Sequence, residues 1–478
     1  MSRLFETSKM HNTHTENGAV VHESSLSSVV DFYTLAGSSR NHVQNALSAF
    51  NKALVQDKDL AVRITLHARD IRAGMGERNV FRTILASLLS SNKFTQDEVV
   101  RILKKVPEMG RWDDMLVAFN TPYENIMFDM FISALTNDKT AALAAKWLPR
   151  RRNGKNKLFV HKFCKHAAIT RQQYQKVLAD LSRTVEQQIC AKEFSAIDYN
   201  KIPSVAASRY QKLFEKHDQV RYGMWIEALS KPVEERAAGV KVNAGALYPY
   251  DVIRSLNSVN DARVAQAQWD ALPDFMSGST ENILCMSDVS GSMTGEVFGN
   301  VDALDIGVSL SMYCAERNQG VFKDKVMIYS TNPFFIDLSG GVRERRNQMM
   351  KHVEYGSTNF AAAFDKILEL AKRHNLAQED LPTKVLVFSD MQFDSIGGRQ
   401  TNFEAIVQKF ERAGYVAPTL VFWYLASRKP TSEATIRDKN VALVSGFSPA
   451  ILKAVLGGDS FNPLDIVKKA VCIERYDW

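Results

Sequence analysis

The sequence predicts two parts of different fold class. The N-terminal part is expected to be an all-α array of helical repeats, because helical periodicity recurs from about residue 26 to about residue 271. The C-terminal part is expected to be an α/β domain with a doubly wound, Rossmann-like sheet, because short apolar runs alternate with helical stretches from residue 283 onward. The sequence Asp-x-Ser-x-Ser, Asp288 to Ser292, follows the first of these runs.

The composition is typical of a folded globular protein. Of the 478 residues, 45% are hydrophobic and 24% are charged. The longest unbroken apolar run, Leu420 to Ala426, is too short to cross a membrane, and Met1 to Asn12 contains no signal-like apolar stretch. The five cysteines lack paired spacing, which favours a reducing compartment. We therefore expect a soluble, cytoplasmic protein with no membrane partner.

The net charge of +7 is unevenly distributed along the chain. Residues 281–478 carry 22 basic and 24 acidic residues, which leaves 38 basic and 29 acidic residues in 1–280. An anionic partner is therefore expected to bind the N-terminal part.

Four segments are predicted from these patterns. Residues 1–25 form a flexible or draped arm, 26–276 the helical domain, 277–281 a linker, and 282–478 the α/β domain. Within the helical domain, Thr95 and Glu98 have the spacing of a capping box and predict a helix that starts there.

Two glycines in Asp70 to Arg78 predict a turn between helices, although the segment matches no nucleotide-binding fingerprint. We expect the nearby arginines, such as Arg69, to pair with acidic residues such as Asp114 rather than with phosphate.

A basic stretch without acidic residues runs from Lys146 to His166. One interpretation is a solvated loop and helix face; the other is a phosphate-binding surface in which Trp147, Phe159 and Phe163 stack on bases. The candidate RNA-binding residues are Lys146, Trp147, Arg150, Arg151, Arg152, Lys155, Lys157, Lys162 and Lys165.

Oxygen-bearing side chains follow three elements of the predicted sheet domain. Asp288, Ser290 and Ser292 follow the first apolar run, Asp390 follows Val385 to Phe388, and Thr358 precedes a helix. Ligands of such sheets bind where parallel strands end, so these residues are expected to converge. Singly, each is explained as a helix cap or a turn residue. Together they suit a hard divalent cation, Mg²⁺ first and Mn²⁺ or Ca²⁺ as alternatives.

These three loops resemble the metal-ion-dependent adhesion site of von Willebrand factor A domains, in which Asp-x-Ser-x-Ser, Thr and Asp lie on successive loops. The resemblance covers about residues 282 to 472. It implies that Asp288, Ser290, Ser292, Thr358 and Asp390 form the metal-binding set and that the metal binds a carboxylate of a protein ligand.

The N-terminal part is similar to the TROVE module of the Ro autoantigen family and looks still closer to a branch of Ro-like proteins found in viruses, plants and microbes. The motifs that carry this similarity are Arg72–Arg78, Gly110–Asp114, Lys146–Pro149 and Ala244–Pro249. The resemblance implies that the helices form a ring of HEAT-like repeats and that this part binds small structured RNAs and single-stranded RNA ends.

Three functions follow from these patterns. The first is a non-enzymatic ribonucleoprotein scaffold that binds RNA and a metal-held acidic ligand. The second is a metal-dependent protein-interaction adaptor or assembly protein without RNA. The third is a Mg²⁺-dependent phosphoryl hydrolase, which is disfavoured because no histidine and no Asp-x-Asp pair lie in the metal loops.

Overall fold

The computed structural model describes residues 12–150, 154–182, 184–231, 235–245, 247–257, 262–298, 301–353, 356–396, 400–427, 429–456 and 461–478. They form two compact units. Unit 1 comprises the chain up to Ala68, Arg72–Val80 and Ala244–Asp477, and unit 2 comprises Arg69–Ile71, Phe81–Asn243 and Trp478. The predicted linker at 277–281 therefore lies inside unit 1, since helices on both sides of it pack with the sheet domain.

The N-terminal 280 residues are mainly helical, as predicted. After strands β1 (Asn12–His14) and β2 (Val20–His22), the helices are α1 (Ser28–Ser38), α2 (Val43–Gln56), α3 (Lys58–Arg69), α4 (Asn79–Leu89), α5 (Gln96–Met109), α6 (Glu124–Leu135), α7 (Ala141–Trp147), α8 (Gly154–His166), α9 (Arg171–Leu181), α10 (Val185–Cys190), α11 (Ser204–His217), α12 (Gln219–Leu229), α13 (Pro249–Ser255) and α14 (Arg263–Asp270).

The C-terminal region alternates strands and helices. The strands are β3 (Ile283–Asp288), β4 (Glu296–Phe298), β5 (Val301–Asp302), β6 (Lys325–Tyr329), β7 (Phe334–Asp337), β8 (Lys384–Ser389), β9 (Thr419–Tyr424) and β10 (Val441–Ser445). The helices are α15 (Ala303–Arg317), α16 (Val342–Met350), α17 (Phe360–Arg373), α18 (Asn402–Arg412), α19 (Leu452–Val455) and α20 (Pro463–Val471). The α/β prediction for this region is confirmed.

Six strands form one mixed sheet in the order β10-β9-β8-β3-β6-β7. All neighbours pair in parallel except β6 and β7, which pair antiparallel. The residues of β3 and β8 are buried throughout, as expected of strands covered by helices on both faces.

The chain leaves β3 toward β6 on one side and later returns to β8 on the other. Consecutive crossovers thus run in opposite directions from β3, which opens a crevice at the carboxyl ends of β3 and β8. Asp288 ends β3 and Asp390 directly follows β8, so both lie at this crevice.

Helix α1 belongs to unit 1 and packs on the end of β10. The Gly37 amide donates a hydrogen bond to Ser445 Oγ at 3.2 Å, and Ser445 Oγ donates to the Tyr33 carbonyl at 2.9 Å. A Cβ atom on Gly37 would lie 2.5 Å from Ser445 Oγ and 2.6 Å from the Gly446 amide nitrogen. The close approach of this helix to the sheet therefore requires glycine.

Unit 2 confirms two local predictions. Thr95 and Glu98 form the predicted capping box, with the Glu98 amide donating to Thr95 Oγ1 and the Thr95 amide donating to Glu98 Oε2. Arg69, only 1% exposed, donates from Nε to Asp114 Oδ2 at 2.7 Å, as expected of a structural arginine.

Among the described residues, no helix is both long and apolar enough to cross a bilayer.

Two glycine-to-alanine variants should change stability in opposite directions. Gly37→Ala should lower the free energy of unfolding by about 1–3 kcal/mol, because the new methyl group overlaps the end of β10. Gly223→Ala, at a helix position with nothing within 4 Å, should leave stability unchanged or raise it by up to about 1 kcal/mol. Urea denaturation measures both changes. Equal effects of the two variants would contradict this account of α1 packing.

Candidate functional site

Asp288 is a fully buried carboxylate at the end of β3. Its Oδ1 accepts a hydrogen bond from the Ser290 amide at 3.0 Å, and its Oδ2 accepts one from Ser389 Oγ at 2.6 Å. Ser389 is the last residue of β8, so this second bond joins the ends of the two strands that flank the crevice. The carboxylate is therefore held rigidly.

The two serines of the motif lie beside this carboxylate. Ser290 is 1% exposed, Ser292 is partly exposed, and their Oγ atoms are 3.1 Å apart. Ser290 precedes the short 3₁₀ helix Gly291–Thr294 without capping it through its side chain. The alternative interpretation of Ser290 as an ordinary cap is therefore not supported, since its hydroxyl lies within hydrogen-bond distance of the Ser292 hydroxyl and either can donate.

Asp390 and Thr358 lie on two further loops that are joined through the backbone. Asp390 is 6% exposed and its Oδ1 accepts from the Gln392 amide at 3.2 Å. The Asp394 amide donates a hydrogen bond to the Thr358 carbonyl at 3.0 Å. Residue Thr358 is 1% exposed. Asp394 thus contributes its backbone to the link between these loops.

The electrostatics of the site are unfavourable for two ionised carboxylates. Burial, and then the negative charge of Asp390, raise the pKa of Asp288 far above its usual range, and hydrogen bonds from Ser290 and Ser389 only partly oppose this shift. A positive ion between the carboxylates would relieve both the burial cost and the repulsion.

The chemistry of these donors fits a hard cation. Two carboxylates and two or three hydroxyls are the oxygen ligands that Mg²⁺ and Ca²⁺ prefer. In the described part of the chain, no three or more His, Cys, Asp and Glu side chains cluster as a metal site. Nitrogen and sulfur ligands are typical of zinc, and the five candidate residues offer oxygen donors alone.

A cavity of unit 1 adjoins the site and is lined by residues far apart in sequence. Ser292, Asp390 and Gln392 form one side, and Ser38, Asn41 and His42, at and after the end of α1, form another. The Ser427 amide donates to the Ser38 carbonyl at 3.0 Å, which fixes this end of α1 at the cavity. The end of α1 was not predicted to lie near the site, because no local pattern connects this helix with a motif about 250 positions later.

The predicted basic residues differ in their surroundings. Lys155, Lys157 and Lys165 are exposed on α8. Lys162 pairs with Glu124 at 3.0 Å, Lys146 lies 3.5 Å from Glu186, and the Arg150 guanidinium donates to Ser182. Arg151 and Arg152 lie outside the described residues.

The expected stacking role of two aromatic residues was wrong. Phe159 and Phe163 are 2% and 1% exposed and pack on Phe128, because they face the interior side of α8. Trp147 is partly exposed, with the Arg111 guanidinium 4.0 Å from its ring centre. Of the three aromatic residues, Trp147 therefore remains the candidate for stacking on a base.

Asp390→Asn should stabilise the protein in the presence of chelator at neutral pH. The asparagine keeps an acceptor for the Gln392 amide but removes the charge that raises the pKa of Asp288. A carboxyl group whose pKa is raised in the folded state makes the protein less stable as pH rises above about 4. The free energy of unfolding of the variant should therefore exceed that of the unmodified protein by an amount that grows toward neutral pH, to roughly 1 kcal/mol. Thermal unfolding between acid and neutral pH measures it.

The control is Asp365→Asn, at a half-exposed aspartate that pairs with Lys409. A loss of stability in Asp390→Asn at neutral pH would contradict the repulsion between the two buried carboxylates.

Comparisons with known proteins divide the chain near residue 281. Residues 282–473 match the domain of unknown function DUF7788, and residues 141–280 match the domain of unknown function DUF2828. The chain is also similar to the uncharacterized protein L728 of Acanthamoeba polyphaga mimivirus, with 26% identity over 506 residues that cover 95% of this chain and 86% of the relative.

The chain is similar in structure to the RO (RSR) protein of Deinococcus radiodurans. The similarity covers 94% of this chain and 100% of that protein, with a TM-score of 0.51 and 16% sequence identity. At this identity the similarity concerns the fold alone. The chain therefore has a Ro-like fold.

Proposed function

We propose that this protein is a non-enzymatic RNA-binding scaffold. Its basic helical segment binds RNA, and its sheet domain binds a divalent cation and, through it, an acidic group of a ligand. The observation that carries the proposal is the set of three exposed lysines on α8, a helix without acidic residues. The Ro-like fold supports the same kind of function.

The charges at the start of α8 do not serve the stability of the helix. Lys155 and Lys157 lie in its first turn, where the helix dipole is positive and acidic residues are stabilising. A helix start that carries lysines attracts phosphate instead. Lys165 extends the positive surface to the last turn of α8, and partly exposed Trp147 lies on the preceding helix.

Reversing the three exposed charges should weaken RNA binding. The triple variant Lys155→Glu, Lys157→Glu, Lys165→Glu should bind a single-stranded oligouridylate and a small hairpin RNA at least about tenfold more weakly at low salt. The slope of log affinity against log salt should fall by about two to three, because each lost phosphate contact contributes roughly 0.7–0.9. Glutamates at positions 155 and 157 favour the helix, whereas a glutamate at position 165 opposes the helix dipole, so an unchanged circular dichroism spectrum is required of the triple variant.

The matched control reverses three exposed lysines of unit 1, Lys351, Lys372 and Lys439. It has the same net charge and should retain most of the affinity. Equal losses in the two triple variants, or no RNA binding by the unmodified protein, would contradict the proposed RNA surface.

The residues that would hold the cation are Asp288, Ser290, Ser292, Thr358 and Asp390. Buried carboxylates that repel each other support this assignment, as do the two adjacent hydroxyls. The bound cation would supply a positive charge that attracts a carboxylate or phosphate. The chain's own contribution is to fix the donors, through the bonds from Ser389 and the Ser290 amide.

Mg²⁺ or Mn²⁺ should raise the melting temperature of the unmodified protein. A cation that binds only the folded state stabilises it by about 2.7 kcal/mol at a concentration of 100 times Kd. The double variant Ser290→Ala, Ser292→Ala should lose most of this increase, since both candidate hydroxyl ligands are removed while the two carboxylates remain. Thermal unfolding with either ion and with chelator measures the difference.

The control for general ionic effects is Ser427→Ala, which changes a hydroxyl outside the donor set on the wall of the adjoining cavity. It should respond to the ions as the unmodified protein does. An unmodified protein whose melting temperature is insensitive to both ions would rule out the metal site.

A metal-dependent adaptor without RNA is the second candidate, favoured by the cavity beside Ser292 and Asp390. The two functions make different predictions for protein purified gently from its source. A scaffold carries RNA, whereas an adaptor carries a protein that chelator releases. We propose no catalytic role for the site.

A further inference from the structure

Residues 12–22, here called the N-terminal hairpin, contact the loop that carries Asp390. Strands β1 and β2 pair antiparallel, with Asn12 opposite His22 and His14 opposite Val20. The turn between them carries Thr15 to Gly18, and Gly18 forms an isolated bridge with Asp394. A segment more than 350 positions before the loop in sequence therefore lies against it.

Four hydrogen bonds join the turn of the hairpin to the loop. Thr15 Oγ1 donates to the Phe393 carbonyl at 2.8 Å, and Asn17 Nδ2 donates to the Gln392 carbonyl at 2.6 Å. The Glu16 amide donates to Gln392 Oε1 at 2.8 Å, and the Ser395 amide donates to the Asn17 carbonyl at 3.3 Å. The hairpin thus binds three of the five residues that follow Asp390.

The loop has a backbone conformation that needs such support. Met391, directly after Asp390, has φ of 61°, in the left-handed region that non-glycine residues rarely adopt. Met391 and Phe393 are 2% and 0% exposed, so the loop is fixed in a buried environment. Surrounding contacts must maintain a strained conformation of this kind.

The hairpin is itself fixed at its other end. The His22 amide donates to the Ser432 carbonyl at 2.8 Å, and the Ser432 amide donates to the His22 carbonyl at 2.9 Å. The Ile436 amide donates to the Ser25 carbonyl at 2.9 Å. The hairpin therefore connects the loop after β8 to the segment between β9 and β10.

We infer that the N-terminal hairpin positions Asp390 for cation binding and that Thr15 and Asn17 are positioning residues. The inference rests on the proposed metal site. Neither residue is a metal ligand: each bonds a backbone carbonyl two or three positions beyond Asp390. The same loop also reaches Thr358 through the Asp394 amide, so the hairpin acts on two of the three metal loops.

The double variant Thr15→Val, Asn17→Ala tests the inference. It removes both side-chain donors, and with Thr15 Oγ1 the acceptor of the Ala19 amide, while the paired strands keep their backbone bonds. Amide exchange in residues 391–395 should accelerate about tenfold, and Mn²⁺ affinity, measured by electron paramagnetic resonance, should fall about five- to tenfold. The rate of amide exchange in β10 should not change. An unchanged rate there shows that the double variant loosens the loop without destabilising the whole unit.

The matched control is His14→Ala, at an exposed side chain of the same hairpin. It should retain both loop protection and Mn²⁺ affinity. Unchanged loop exchange and unchanged affinity in the double variant would overturn the inference.

The two proposals fail in different ways. If the unmodified protein does not bind Mn²⁺, the metal site is rejected, and loop exchange alone then decides whether the hairpin positions the loop. If the unmodified protein binds Mn²⁺ and the double variant binds it equally well, the metal site stands and the role of the hairpin is rejected.

Discussion

The burial of two carboxylates at one end of a parallel sheet is the constraint on which the site depends. Asp288 and Asp390 follow neighbouring strands, and each is less than 10% exposed. Removing two negative charges from water while they repel one another is costly, and hydrogen bonds from a serine and two amides offset only part of that cost. The apolar strands around them must supply the remaining stability. Such an arrangement is expected where a cation completes the charge balance.

The elements that hold this site come from distant parts of the sequence. Strand β3 and the loop after β8 supply the carboxylates, the N-terminal hairpin binds the loop of Asp390, and residues at the end of α1 line the adjoining cavity. Gly37 allows α1 to approach β10 closely enough for this placement. The hairpin and α1 belong to the same compact unit as the sheet, and the turn of the hairpin and the end of α1 are part of the environment of the site.

Local patterns predicted a large part of the fold. Short apolar runs of the C-terminal region, such as Val385 to Phe388 and Leu420 to Tyr424, are strands, because continuous apolar character is required of strands buried on both faces. The capping box at Thr95 was predictable because it depends on residues three positions apart. Asp288, Ser290 and Asp390 were predicted to converge since strand ends share one edge of a sheet, and the structure brings these three together.

Other features were beyond sequence reasoning for physical reasons. Strand β7 is only half-buried, so it lacks the continuous apolar signal of its neighbours. The contact of the hairpin with the loop at 392–395 is made by short polar side chains across more than 350 positions, which leaves no periodic trace. Phe159 and Phe163 lie within a basic stretch, but α8 directs them inward and the lysines outward. Charge composition alone did not distinguish these faces.

The central claim is that Asp288 and Asp390 hold a divalent cation together with the serine hydroxyls. A crystal grown with Mn²⁺, with diffraction data collected at the manganese absorption edge, tests it most directly. The account predicts one anomalous peak in the crevice between β3 and β8, at roughly 2.0–2.3 Å from Ser290 Oγ and Ser292 Oγ. A crevice without anomalous density at saturating Mn²⁺, or a peak bound only elsewhere on the chain, would contradict it.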